Sequence, residues 1–160
     1  MVIFLIGLPC SGKSTLGKNL SEKLNYAFID LDTEVCKYAN KSILEIINEG
    51  GEESFRNYEK TCLQNLNLEK DVIVSTGGGT PCFYDNIEWM NKNGITVFLN
   101  PELSEILLRL QSSNSERPLL NNSLEYLTQI KNERDVYYKQ AKVEISSTEN
   151  IEKIISKIFN

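Results

Sequence analysis

The chain has 160 residues, 41% hydrophobic and 24% charged, enough for one domain with a real core and too few for two ordinary ones. Its net charge is −5 and it contains no histidine, so histidine serves neither as proton acceptor nor as metal ligand, and no basic patch invites nucleic acid or a membrane surface. The longest apolar run, Val2–Ile6, is far too short to span a bilayer and lacks the flanks of a signal peptide; with four cysteines and no CxxC pair, a reduced, cytoplasmic setting is expected.

Val2–Ile6 is continuously apolar, the pattern of a strand buried on both faces of a parallel sheet. It runs directly into "GLPCSGKST", a G-x-x-x-x-G-K-[ST] loop with Gly7, Gly12, Lys13 and Ser14, and then into a helix over Lys13–Leu24. In that order, strand, loop and helix make a polyphosphate cradle. The loop N–H groups of Pro9's neighbours Cys10 and Ser11, and of Gly12 through Thr15, converge on the anion, Lys13 spans the outer phosphates and Ser14 ligates Mg²⁺. Missing motifs argue against a GTP-dependent binding module, though not against every ATP switch: DxxG is absent, and "NKNG" at Asn91–Gly94 ends in Gly where a base-reading motif has Asp.

A second strand over Ala27–Ile29 ends in "DLD". Asp30 and Asp32 lie two apart, on one side of an extended chain, at the carboxyl end where open parallel sheets bind ligands. Phosphoryl transfer needs carboxylates for two jobs: holding a hydrated metal and orienting the acceptor hydroxyl. Asp32 as plain N-cap of a following helix is the alternative. "SILE" opens a helix over Ser42–Glu49 with a capping box, and Glu52–Leu66 places Phe55, Tyr58, Cys62, Leu63 and Leu66 on one helical face.

Val72–Ser75 is a third buried strand, followed by Gly77, Gly78 and Gly79. Three glycines in a row are costly in conformational entropy unless a bare backbone is needed there. Helices over Asn86–Asn91, from Pro101, over Leu124–Gln140 and over Ile151–Phe159 alternate with strands over Thr96–Leu99 and Val143–Ile145, which predicts an α/β fold with a mostly parallel five-stranded sheet. Gln111–Ser123 breaks the rhythm: polar, non-periodic, with "RPLL" embedded, it reads as a lid or as a surface loop. The chain carries thirteen Lys and four Arg, so Arg56, Arg109, Arg117 and Arg134 are candidates for sites that require a planar fork.

Taken together, "GLPCSGKST", "FIDLDTEV", "ESFRNYE", "STGGGTP", "RPLL" and "ERDVYY" resemble the shikimate kinases, P-loop enzymes of the nucleoside-monophosphate-kinase-like type, in order and approximate spacing over essentially the whole chain. The resemblance implies a single kinase domain over 1–160 with strand order 2-3-1-4-5, an acceptor-binding helical region at about 33–61 and a lid at about 111–123. It implies ATP and shikimate as substrates, Mg²⁺, and a monomer with no nucleic-acid or membrane partner. By the same resemblance Asp32 contacts the acceptor hydroxyls, and Asp30 helps hold Mg²⁺ through water. Arg56 and Arg134 grip the acceptor carboxylate, Glu59 orients Arg56, and Gly77 to Gly79 line the acceptor pocket. Arg117 closes over the transferring phosphoryl group and Arg109 lies beside adenine.

Three departures accompany it. Cys10 stands where the family often has Gly, and a tolerated side chain is expected there. Ile47 replaces a common aromatic, and Ser75 stands where many P-loop enzymes carry a second metal carboxylate. The nearest rivals are a kinase for another small hydroxy-acid such as gluconate, and an ATP-binding module without turnover.

Overall fold

The computed structural model describes residues 1–112 and 123–160. Five parallel strands, β1 (Val2–Ile6), β2 (Ala27–Asp30), β3 (Val72–Ser75), β4 (Ile95–Leu99) and β5 (Val143–Ile145), form one sheet in the order β2-β3-β1-β4-β5. Among the described residues the helices are α1 (Lys13–Leu24), α2 (Leu31–Ala39), α3 (Ile43–Gln64), α4 (Asn86–Asn93), α5 (Leu103–Ser112), α6 (Leu124–Tyr138) and α7 (Ile151–Phe159), with a 3₁₀ turn at Thr80–Cys82.

β1 is central and wholly buried, so its five apolar residues serve both faces. Successive side chains alternate: Ile3 and Leu5 join Leu20 of α1 and Ile154 and Ile158 of α7 on one side, while Phe4 and Ile6 join Leu31, Val35, Leu63, Met90, Leu127 and Tyr138 on the other. Two helices cover the first face and the remaining described helices the second, as a doubly covered parallel sheet requires.

The register aligns the strand ends that carry chemistry. Asp30 pairs with Ser75 and Ser75 with Leu5, so the ends of β2 and β3 and the start of the loop after β1 lie side by side. This is the carboxyl edge where ligands enter such sheets.

Several local expectations change. β2 does not carry Asp32 on an extended chain: the strand stops at Asp30, whose side chain accepts from the Thr33 N–H and caps α2, and Asp32 sits in that helix's first turn. The N-cap is therefore Asp30. The two helices expected on either side of Gly50 and Gly51 are both present as the halves of α3, separated by the non-helical Gly51 (φ 71°, ψ −178°), and the Ser42–Glu45 capping box of the first is complete. The helix expected from Pro101 begins at Leu103, so Pro101 precedes it and does not occupy its first position.

Candidate active site

The loop Gly7–Thr15 joins β1 to α1. Gly7, Cys10 and Gly12 all take positive φ (140°, 59° and 103°), turning the chain so that backbone N–H groups face a common concavity. α1 starts at Gly12 with no side-chain cap, which leaves its first N–H groups for an anion. Lys13 is buried, and its ammonium donates to the carbonyls of Gly7 (2.9 Å) and Leu8 (2.7 Å) at the mouth of the loop. Arg109 of α5 braces the loop from outside, donating to the carbonyls of Ser11 (2.7 Å) and Cys10 (3.3 Å). The sequence reading allowed a relaxed side chain at Cys10, but its left-handed φ makes it a strained one.

Ser14 opens α1 and donates to Asp30 Oδ2 at 2.8 Å, with Ser75 Oγ 3.0 Å away. These are all oxygen donors. Such a set suits a hard cation that takes most of its other ligands from phosphate and water, which is how Mg²⁺ binds. Among the described residues no cluster of three or more Asp, Glu, His or Cys side chains makes a protein-only metal cage.

A cavity of about 660 Å³ lies over this edge, lined by Pro9 to Leu16, Asp30, Asp32, Ser75, Gly77, Gly78 and Arg109. Ser146, Ser147 and Glu149, which follow β5, complete the lining; the sequence analysis does not single them out, and their position after a strand's carboxyl end is the signal available. Arg56, Gly79 and Arg134 are not in that lining and adjoin it through the glycine loop.

The three glycines have a cause inside the protein that the sequence did not show, and Gly77 and Gly78 also line the cavity. None has positive φ. Each lacks a Cβ because the protein's own groups press on it. A Cβ on Gly77 would lie 2.6 Å from Glu59 Oε1 and 3.0 Å from Asp32 Oδ1; on Gly78, 2.5 Å from Pro9 Cδ; on Gly79, 2.6–2.7 Å from the Arg56 guanidinium. The bare loop thus brings Asp32, the phosphate loop and Arg56 onto one short stretch of backbone.

Arg56 is buried and its fork is engaged on both sides. Glu59, 1% exposed, accepts from Nη1 at 2.5 Å, and Glu52 accepts from Nη2 (2.8 Å) and Nε (3.1 Å). Thr80 donates to the other Glu59 oxygen, while Phe83 and Phe55 lie 4.4 and 4.9 Å from the guanidinium carbon. Burial alone would lower the Arg56 pKa, but Glu59 and Glu52 hold it above its ordinary value. Arg134 of α6 hydrogen-bonds the Tyr138 hydroxyl, and its charge, like that of Arg56, favours the ionised form of Cys82 against burial. Tyr138 donates to the Gly78 carbonyl and stacks on Phe98 at 5.0 Å, tying α6 to that loop. Glu52, Thr80 and Tyr138 were not singled out from the sequence, although Glu52 precedes Arg56 by four residues, a spacing that pairs side chains on a helix. Arg117 and its "RPLL" segment lie outside the described residues.

A glycine-rich loop suited to phosphate, a Ser14–Asp30–Ser75 oxygen cluster beside it and Asp32 and Arg56 on the adjoining glycines, all at the carboxyl edge of a 2-3-1-4-5 sheet, define a P-loop kinase. The family model for shikimate kinase matches residues 9–160, and the chain belongs to that family. A curated shikimate kinase from Bacteroides fragilis is 41% identical over 144 residues, covering 87% of this chain and 80% of that one. The crystal structure of shikimate kinase from Bacteroides thetaiotaomicron superposes with a TM-score of 0.87 at 37% identity, covering 99% of this chain and 94% of the other. Shikimate kinase from Acinetobacter baumannii in complex with shikimate gives 0.89 at 29% identity over 99% and 92%.

Proposed function

We propose that the chain transfers the γ-phosphoryl group of ATP to the 3-hydroxyl of shikimate, giving shikimate 3-phosphate and ADP, a step of chorismate and aromatic amino-acid biosynthesis. The observation that supports this reading best is the glycine loop, where Asp32 lies against Gly77, the phosphate loop against Gly78 and Arg56 against Gly79, a spacing that suits one small acceptor reaching from carboxylate clamp to phosphate.

In this reading the N–H groups of Cys10 to Thr15 and the Lys13 ammonium hold the β- and γ-phosphates. Their charges are fixed in place before the reaction, so they stabilise the developing negative charge without reorganisation. Ser14, and Asp30 through water, would hold Mg²⁺, which would supply neutralisation of the phosphate charge. Arg56 and Arg134 fix the acceptor carboxylate. Asp32 orients the 3-hydroxyl and takes its proton as the new O–P bond forms and the bond to the β-phosphate bridging oxygen breaks, releasing ADP. Arg109 flanks the adenine, and Arg117 closes over the phosphoryl group and keeps water from taking it. The enzyme acts as a monomer on two small molecules, in a reducing cytoplasm suited to its four free cysteines. No helix among the described residues is long and apolar enough to cross a membrane.

A coupled ADP-release assay with shikimate, quinate, gluconate and no acceptor tests the reading. Turnover is expected with shikimate and is lowered by two or more orders of magnitude in Asp32→Ala. Equal turnover with gluconate, or ADP release independent of any acceptor, would overturn it in favour of the two rivals.

A further inference from the structure

Arg56 and Arg134 supply two positive charges beyond the glycine loop, and Glu52 and Glu59 return two negative ones. Asp32 adds a third carboxylate beside Glu59 at Gly77, so a bound acceptor carboxylate would meet negative charge already in place. The two glutamates are not equivalent. Glu59 is sealed in, 1% exposed, and bonded to both Thr80 and Arg56. Glu52 is half-exposed (48%), and it holds the Nε/Nη2 edge, the edge a bidentate carboxylate prefers.

Glu52 is also placed to leave. It follows Gly51, whose left-handed φ of 71° breaks α3 and around whose Cβ position nothing lies within 4 Å, so it stands in the first turn of the second helical half. Glu52 is thus near the positive end of a helix, which offers its carboxylate another partner. Arg56 does not need Glu52 to stay in position: Glu59 fixes Nη1, Gly79 backs the guanidinium, and the Phe83 and Phe55 rings flank it.

We infer that Glu52 is a built-in stand-in for the acceptor carboxylate, satisfying the buried Arg56 fork in the empty enzyme and yielding it when the acceptor binds. Glu52 thereby sets acceptor affinity by competition. The inference rests on the proposed role of Arg56 in holding that carboxylate.

The test compares wild type, Glu52→Gln and Arg56→Lys by calorimetric titration with shikimate and by steady-state kinetics. Glu52→Gln is expected to tighten shikimate binding three- to tenfold, with kcat/KM for shikimate rising by the same factor through KM and with KM for ATP within twofold of wild type. The gain should vanish with the uncharged carboxamide of shikimate, which has no claim on the fork as an ion. Unchanged or weaker shikimate binding in Glu52→Gln, while Arg56→Lys weakens it tenfold or more, would overturn the competition and leave the clamp intact. Unchanged binding in Arg56→Lys would instead overturn the clamp itself, and with it the role given to Glu52. A thermal melt of each variant without ligand establishes that the half-exposed substitution leaves the fold in place.

Discussion

Cys10 sits at φ 59° in the middle of the phosphate loop, where a side chain costs about 1–2 kcal/mol relative to glycine because its Cβ crowds the following carbonyl. That cost is offset elsewhere, since the flanking carbonyls of Cys10 and Ser11 are both held by Arg109. Relieving the strain should stabilise the protein even after the larger entropy of an unfolded glycine is subtracted. Cys10→Gly is expected to raise unfolding free energy by about 0.5–1 kcal/mol, and Cys10→Val, branched at Cβ, to lower it by at least as much. Urea denaturation midpoints of the two variants check this, and a Cys10→Gly variant less stable than wild type would contradict it.

At the scale of elements, the glycine loop after β3 fixes more than it contacts in sequence. A Cβ on Gly79 would meet the Arg56 guanidinium at 2.6–2.7 Å, and that guanidinium is held by two carboxylates and cannot easily give way. Gly79→Ala is therefore expected to leave the fold in place while raising KM for shikimate tenfold or more, with KM for ATP changed less than threefold. Equal losses for both substrates would show the loop to be a general support. The loop also explains what was legible beforehand. The central strands could be read because their burial makes them continuously apolar, and the phosphate loop because its backbone demands leave glycines at fixed spacing. The start of α2 is harder to read because Asp30 is both the last residue of β2 and the cap of α2, so no turn residue separates them and the cap lies two residues before the Asp32 cap considered as the alternative. The reason for three glycines could not be read locally: it lies in Pro9, Asp32, Arg56 and Glu59, far away in the chain and brought there by the sheet register.

Over the whole molecule, the absence of histidine means that no side chain with an unperturbed pKa titrates between pH 5 and 8, so stability should be nearly flat across that range. The alkaline side differs. Burial pushes the Cys82 thiol from 9.0 up to about 11, against the opposing pull of Arg134 and Arg56. Burial also raises the Tyr138 hydroxyl well above its ordinary 10.0, again against Arg134. Both groups hold their protons more tightly when folded. Their contribution is fully present below the unfolded values and is lost as pH rises through the folded ones. For Cys82 alone the window runs from about pH 9 to about pH 11 and the loss approaches about 2–3 kcal/mol. Tyr138 adds to it from pH 10 upward. Unfolding free energies from urea titrations at pH 7 to 11 should thus fall in wild type from pH 9. Cys82→Ala, lacking one of the two groups, should fall later and less steeply, whatever its stability at pH 7. Parallel curves for the two proteins would mean that the thiol beside the two arginines titrates in the folded chain as it does in the unfolded one.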